Sequence, residues 1–163
     1  MKPIAHYWLV AASSRYAKPQ HWMAWADRII EHTNHPSAWL ADVSIADSNQ
    51  KLKAALQERL EKEERIVDPE HHNALLGYLL MRYKEGTLTL PALLQEAGEA
   101  SDSGPITVEC EKFYALLNRL EKAQTDSEHL DITNAVEELF APFFQIAKNQ
   151  WDSLGSVVAE DAL

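Results

Sequence analysis

The chain has a single cysteine, five glycines and seven prolines in 163 residues. It has no apolar run of the roughly 18 residues that a spanning helix needs. Each scarcity excludes something. Cys110 alone rules out an internal disulfide and fits a reducing, cytoplasmic compartment. So few glycines and prolines leave little material for the many tight turns of a sandwich or barrel, which favours helices. The apolar stretch near the start, IAHYWLVAA, is broken by His6 and carries Tyr7 and Trp8. It reads as a first core helix rather than a secretory leader. There is no GxGxxG, no phosphate-binding Walker loop, no HExxH, no Cys/His zinc spacing and no GxSxG elbow.

What the chain does have is helical periodicity. Pro19 is suited to a first helical turn, where its missing N–H is not needed. Trp22, Trp25, Ala26, Ile29, Ile30 and Thr33 then recur at three- and four-residue steps. Asn34-His35-Pro36 breaks the run, and Trp39, Leu40 and Val43 follow as the inner face of a shorter helix. The three tryptophans form a core cluster in one reading and an aromatic binding pocket in the other. Further along, Asp47 with Gln50 has the spacing of a capping box opening an outer helix over 48–65. Asp68-Pro69 predicts the start of a central helix that is apolar nearly all round, stopped by Gly86. Thr89 opens a short helix to about Ala97, and 98–104 (GEASDSG) reads as a mobile linker. Pro105 predicts a long helix with Cys110 on its apolar stripe. A last helix from about Asp131 to Gly155 contains Pro142, where a kink is expected. The expected fold is all-α: one domain over 1–163, a bundle of about seven helices with a kinked C-terminal helix and a frayed tail at 156–163.

Charge is the strongest functional signal. The formal net charge is −10, and the two halves of the sequence differ. Residues 1–86 hold 11 acids and 11 bases, whereas residues 87–163 hold 14 acids and 4 bases. Glu96, Glu99, Asp102, Glu109 and Glu111 lie around the linker with no base among them; Asp126, Glu128, Asp131, Glu137 and Glu138 cluster around the start of the last helix. Acids in a first helical turn complement the helix dipole, which accounts for a few of these but not for the excess. Such a surface repels nucleic acid and anionic lipid and attracts basic proteins. General solubility is the plainer explanation of the same charge.

The seven histidines make a metal site the next question. Glu31 with His35, the stretch Asp68 to His72, and Asp126 to His129 bring acids and imidazoles close in sequence. None supplies three or four converging ligands at a known spacing, so no metal and no cofactor are expected. A hydrolase or metalloenzyme using His71, His72 or His129 is the least favoured class.

The run ADRIIEHTNHPSAWLADVSIAD, residues 26–47, resembles a group of small bacterial helical proteins. In these an amphipathic helix leads through a proline to a W-L-x-D-V/L-S segment, here Trp39 to Ser44. Some of them look like immunity proteins of contact-dependent and other polymorphic toxin systems. The likeness rests on packing residues and carries no catalytic residue across. It implies a compact acidic inhibitor, not an enzyme, that neutralises a basic toxin domain, often a nuclease. The expected contact residues are Glu109, Glu111, Asp126, Glu128, Asp131, Glu137 and Glu138. The alternative is a helical adaptor that holds a partner peptide or helix between its own helices.

Overall fold

The computed structural model describes residues 1–162. Among them are eight α-helices, two 3₁₀ turns and no strand. The helices are α1 (Ile4–Ser13), α2 (Pro19–Glu31), α3 (Ala38–Ser44), α4 (Asn49–Glu63), α5 (Ala74–Lys84), α6 (Leu90–Ser103), α7 (Glu111–Lys122) and α8 (Asp126–Gly155). The chain is therefore all-α, with one helix more than the seven expected. It divides into two compact units, Met1–His71 with Asn149–Leu163, and His72–Lys148. Among the described residues no helix is long and apolar enough to cross a membrane.

In the first unit α2 packs on α3, α3 on α4, and α4 on α1. Trp8, Trp22 and Trp25 are buried with Ile29, Leu40, Val43, Leu52 and Leu56. The tryptophans of residues 22–39 are thus chiefly core. Their indole N–H groups are also structural. Trp22 donates to the Ala46 carbonyl at 2.6 Å, which closes the α2–α3 hairpin. Trp25 donates to the Leu154 carbonyl at 3.1 Å, and Trp39 to the Ala162 carbonyl at 3.2 Å. The final residues were expected to fray. Instead Ala159–Ala162 form a 3₁₀ turn with Val157 and Ala162 buried. Lys2 pairs with Asp161 at 3.1 Å, and Arg59 donates to the Asp161 carbonyl at 2.9 Å. Leu163, the end of the expected tail, lies outside the described residues.

Helix α1 has no side-chain cap of its own, because Pro3 precedes it. Its free N–H groups at Ala5 and His6 donate instead to Glu63 Oε2, at 2.9 and 3.4 Å. That carboxylate comes from the last turn of α4 and is fully buried. Its other oxygen takes the Nε–H of Arg59, 5 % exposed, at 2.7 Å. The Arg59 guanidinium sits 5.6 Å from the centroid of the Trp39 ring. Helix α4 is thus not the simple outer helix its Lys/Glu-rich pattern suggested. One edge of it carries a buried ion pair one turn apart.

In the second unit Leu76, Leu79, Leu80, Leu93, Leu94, Phe113, Val136 and Phe140 form one core. Gly77 allows α5 to approach α8 closely: a Cβ there would collide with the Phe143 carbonyl and with Ala147. Asn73, 3 % exposed, clasps the segment before α7, donating to Thr107 Oγ1 at 2.8 Å and accepting from the Thr107 N–H at 3.0 Å. Helix α8 runs without a break through Pro142.

Several boundaries differ from the sequence reading, each for a physical reason. Ser48, not Asp47, caps α4, accepting from the Lys51 N–H at 3.3 Å, while Asp47 pairs with the Lys51 ammonium at 2.7 Å. Asp68 caps a turn rather than a long helix: its Oδ1 accepts from Glu70 N–H, and α5 starts only after the 3₁₀ turn His71–Asn73. The expected linker 98–104 is the second half of α6 as far as Ser103. Gly98 there is buried against the Tyr114 ring, where any Cβ would clash. Gly98 thus serves close helix packing and does not break the helix. Pro105 opens no helix, since the Asn73 clasp holds Thr107 out of helical pairing, and α7 begins at Glu111.

Removing Glu63 should leave Arg59 buried without its anion and orphan two N–H groups. Glu63→Ala is expected to cost about 3–5 kcal/mol in urea denaturation. The double change Arg59→Met with Glu63→Leu should cost less than the single one. A loss under about 1 kcal/mol for Glu63→Ala, the size of one ordinary hydrogen bond, would mean that other contacts hold α1 in place.

Candidate acidic interface

All seven expected contact residues fall within the second unit. The fold assigns them different tasks. Thr125 and Glu128 form a reciprocal cap for α8. The Glu128 N–H donates to Thr125 Oγ1 at 3.1 Å, and Glu128 Oε2 accepts from Gln124 N–H at 2.6 Å and Thr125 N–H at 3.2 Å. These backbone donors hold its carboxyl below the usual glutamate range. The helix accordingly starts at Asp126, five residues earlier than expected, and the T-x-x-E spacing of residues 125–128 was the signal for it. Asp126 is an exposed acid in that first turn. Glu128 and Asp131 also line a cavity of about 270 Å³ shared with Arg119 and Lys122, so this end is mixed in charge. Glu137 pairs with Lys84 at 3.2 Å. Glu109, Glu111 and Glu138 are exposed.

The acids form two groups rather than one. Phe113 and Phe140 pack with ring centroids 5.3 Å apart. That contact brings the first turn of α7 beside residue 140 of α8; Glu109 and Glu111 lie at this start of α7, while Glu137 turns to Lys84 of α5. Asp126, Glu128 and Asp131 begin α8 just past the far end of α7, a 12-residue helix about 18 Å long at 1.5 Å per residue.

The first group includes Glu99 and Asp102, which the sequence already sets beside Glu109 and Glu111. With residues 98–103 in α6, Glu99 and Asp102 face the start of α7. The thiol of Cys110 lies 3.8 Å from Asp102 Oδ1. It is half-buried at the end of the preceding segment rather than on a buried stripe. Burial pushes this thiol up from its ordinary value, and Glu111 and Asp102 add to the shift. The Tyr114 hydroxyl is raised as well, by burial first and then by the charges of Asp102, Cys110 and Glu99. Glu99, Asp102 and Glu111 therefore converge around Cys110 and Tyr114, in a stretch (residues 85–118) whose single base is Lys112.

Grouping charge by compact unit softens the contrast between the sequence halves. The second unit holds 12 acids and 6 bases, net −6; the first holds 13 and 9, net −4. Asp152, Glu160 and Asp161 fold with the first unit, and Arg82 and Lys84 with the second. What persists is the local acid concentration at the α6–α7 end.

Of the expected histidine groupings, His71 packs edge-on against His6 with ring centroids 4.9 Å apart, and its Nδ1 bonds the Asp68 carbonyl oxygen at 2.7 Å. Among the described residues no set of three His, Cys, Asp or Glu side chains converges as a metal site. Searches of family models, curated proteins and solved structures find no match for this chain.

A raised thiol pKa means less thiolate at a given pH, and the thiolate is the nucleophile. Cys110 should therefore react with iodoacetamide at pH 8 several-fold more slowly than free glutathione. Asp102→Asn with Glu111→Gln should speed it. An unaltered rate in that double variant would remove the two carboxylates as part of the cause.

Proposed function

We propose that this protein is a binding domain for a basic protein partner, acting as an immunity-type inhibitor of a toxin domain. The supporting observation is the acidic end of the second unit. There Glu99 and Asp102 of α6 converge with Glu111 of α7 around Cys110 and Tyr114, and Glu109 lies two residues before α7. In this reading the surface draws a basic domain in by its field and covers its active site or substrate groove. Long-range attraction of this kind speeds encounter and makes association sensitive to salt. The reading assigns no catalytic residue, metal or cofactor to this chain. It places the protein in the cytoplasm, in keeping with one unpaired cysteine. Glu128 is a helix cap and Glu137 is paired with Lys84, so Glu111 and Glu138 are the contact residues that a variant can change most cleanly.

A second reading, an adaptor for an apolar peptide or helix, has its own observation. A groove of about 370 Å³ between α3 and α4 is lined by Asp42, Ile45, Ala46, Lys51, Ala54 and Ala55, with Ile45 70 % exposed.

Parallel captures with tagged wild type, Glu111→Lys/Glu138→Lys and Ile45→Glu, washed at rising salt, separate the two. On the inhibitor reading a basic protein binds wild type at low salt, leaves at high salt, and is weakened at least about tenfold by the two lysines, with the helical circular-dichroism signal unchanged. A partner that survives high salt and is lost only with Ile45→Glu supports the adaptor. Binding indifferent to the two lysines overturns the acidic site.

A further inference from the structure

A cavity of about 390 Å³ opens in the first unit beside the tryptophan cluster. That volume lies at the lower end of the range for small-ligand sites, roughly 300–1,000 Å³. Its walls are the indoles of Trp8, Trp25 and Trp151, with Ala24 and Leu154. The rings are held in place by the fold. Trp8 packs edge-on against Trp25 at 5.4 Å and against Trp151 at 5.9 Å between centroids. Tyr16 and His21 pack edge-on against Trp151 at 5.0 and 5.7 Å. Trp25 is anchored by its bond to the Leu154 carbonyl. An aromatic wall already locked in one arrangement loses little entropy when a ligand joins it.

The polar lining carries a sign. In a chain of net charge −10, the described polar residues lining this cavity are Gln20, His21 and Arg28, with no acid among them. Arg28 is exposed and makes one long bond, 3.4 Å, to the Gly155 carbonyl, so most of its five donors face outward. The Nδ1 of His21 accepts from the Lys18 N–H at 2.8 Å. Its proton is therefore on Nε2, which can donate. Apolar aromatic walls under a guanidinium and an imidazole N–H match a planar aromatic ring bearing a carboxylate.

We propose that the first unit binds a small aromatic carboxylate, with its ring among Trp8, Trp25 and Trp151 and its carboxylate on Arg28. This site draws on none of the acidic residues of the second unit, so it stands or falls apart from the inhibitor reading.

Three probes of one shape test it by calorimetric titration of the full chain: naphthalene-1-carboxylate, 1-naphthylmethanol and 1-naphthylmethylammonium. The carboxylate should bind saturably with a Kd of about 1 mM or tighter, which a ligand of this size reaches at ordinary efficiency. It should exceed the alcohol and the ammonium by at least about tenfold, a gain in keeping with charge-assisted bonds to a guanidinium. The indole N–H resonances of Trp8, Trp25 and Trp151 should shift, and those of Trp22 and Trp39 should not. Arg28→Gln should abolish the preference for the carboxylate and leave the alcohol unchanged. Ala24→Trp should block all three. Both positions are exposed, so both variants keep the fold. No saturable binding of the carboxylate, an equal or greater affinity for the ammonium, or a preference that survives Arg28→Gln would each overturn the proposal.

Discussion

The buried carboxylate of Glu63 is the contact on which the first unit depends. An α-helix that begins after a proline, without a capping side chain, leaves N–H groups that must find acceptors elsewhere. For α1 the acceptor is an acid from α4, brought there by the packing of the two helices. An acid cannot be buried cheaply without a counter-charge, and Arg59, one turn earlier, supplies it. Arg59 then reaches the Asp161 carbonyl and lies over Trp39. One charged pair thus links the first helix, the fourth helix, the tryptophan hairpin and the final 3₁₀ turn.

The second unit follows a different principle. Its core is apolar, and its distinctive contacts are places where a missing Cβ lets helices come close, at Gly77 against α8 and at Gly98 against Tyr114. With α6 extended to Ser103, acids that a linker would have scattered stand together at the start of α7. Equal formal charges there have unequal roles. Glu128 is committed to a cap and Glu137 to Lys84, whereas Glu111 adds to the upward shift that burial gives the Cys110 thiol. Acid count alone does not mark an interface, because several of these acids have local tasks.

The tryptophans join core and surface. Trp22 closes the α2–α3 hairpin through its N–H, while Trp25 and Trp39 use theirs to hold residues 154–162. The same packing that orders these rings leaves one wall of Trp8, Trp25 and Trp151 facing an open cavity under Arg28. Of the three tryptophans of residues 22–39, only Trp25 lines that cavity; Trp22 is wholly core.

The sequence by itself determined the helical class, the α2–α3 tryptophan hairpin and the Thr89 cap. Each is written in neighbours three or four residues apart, where helical spacing or a cap acts locally. The T-x-x-E cap at 125–128 is equally local and equally legible. Only the tertiary structure decided the fate of Gly98, Glu63 and the final residues. A glycine breaks a helix or packs one according to what lies across from it. A glutamate in a Lys/Glu-rich helix is solvated or buried according to whether another helix presents bare N–H groups. A polar tail frays or folds according to whether an indole N–H and a guanidinium wait for its carbonyls. Those partners lie 16 to 129 residues away along the chain in the contacts seen here, from Gly98–Tyr114 to Trp25–Leu154, beyond the reach of local periodicity.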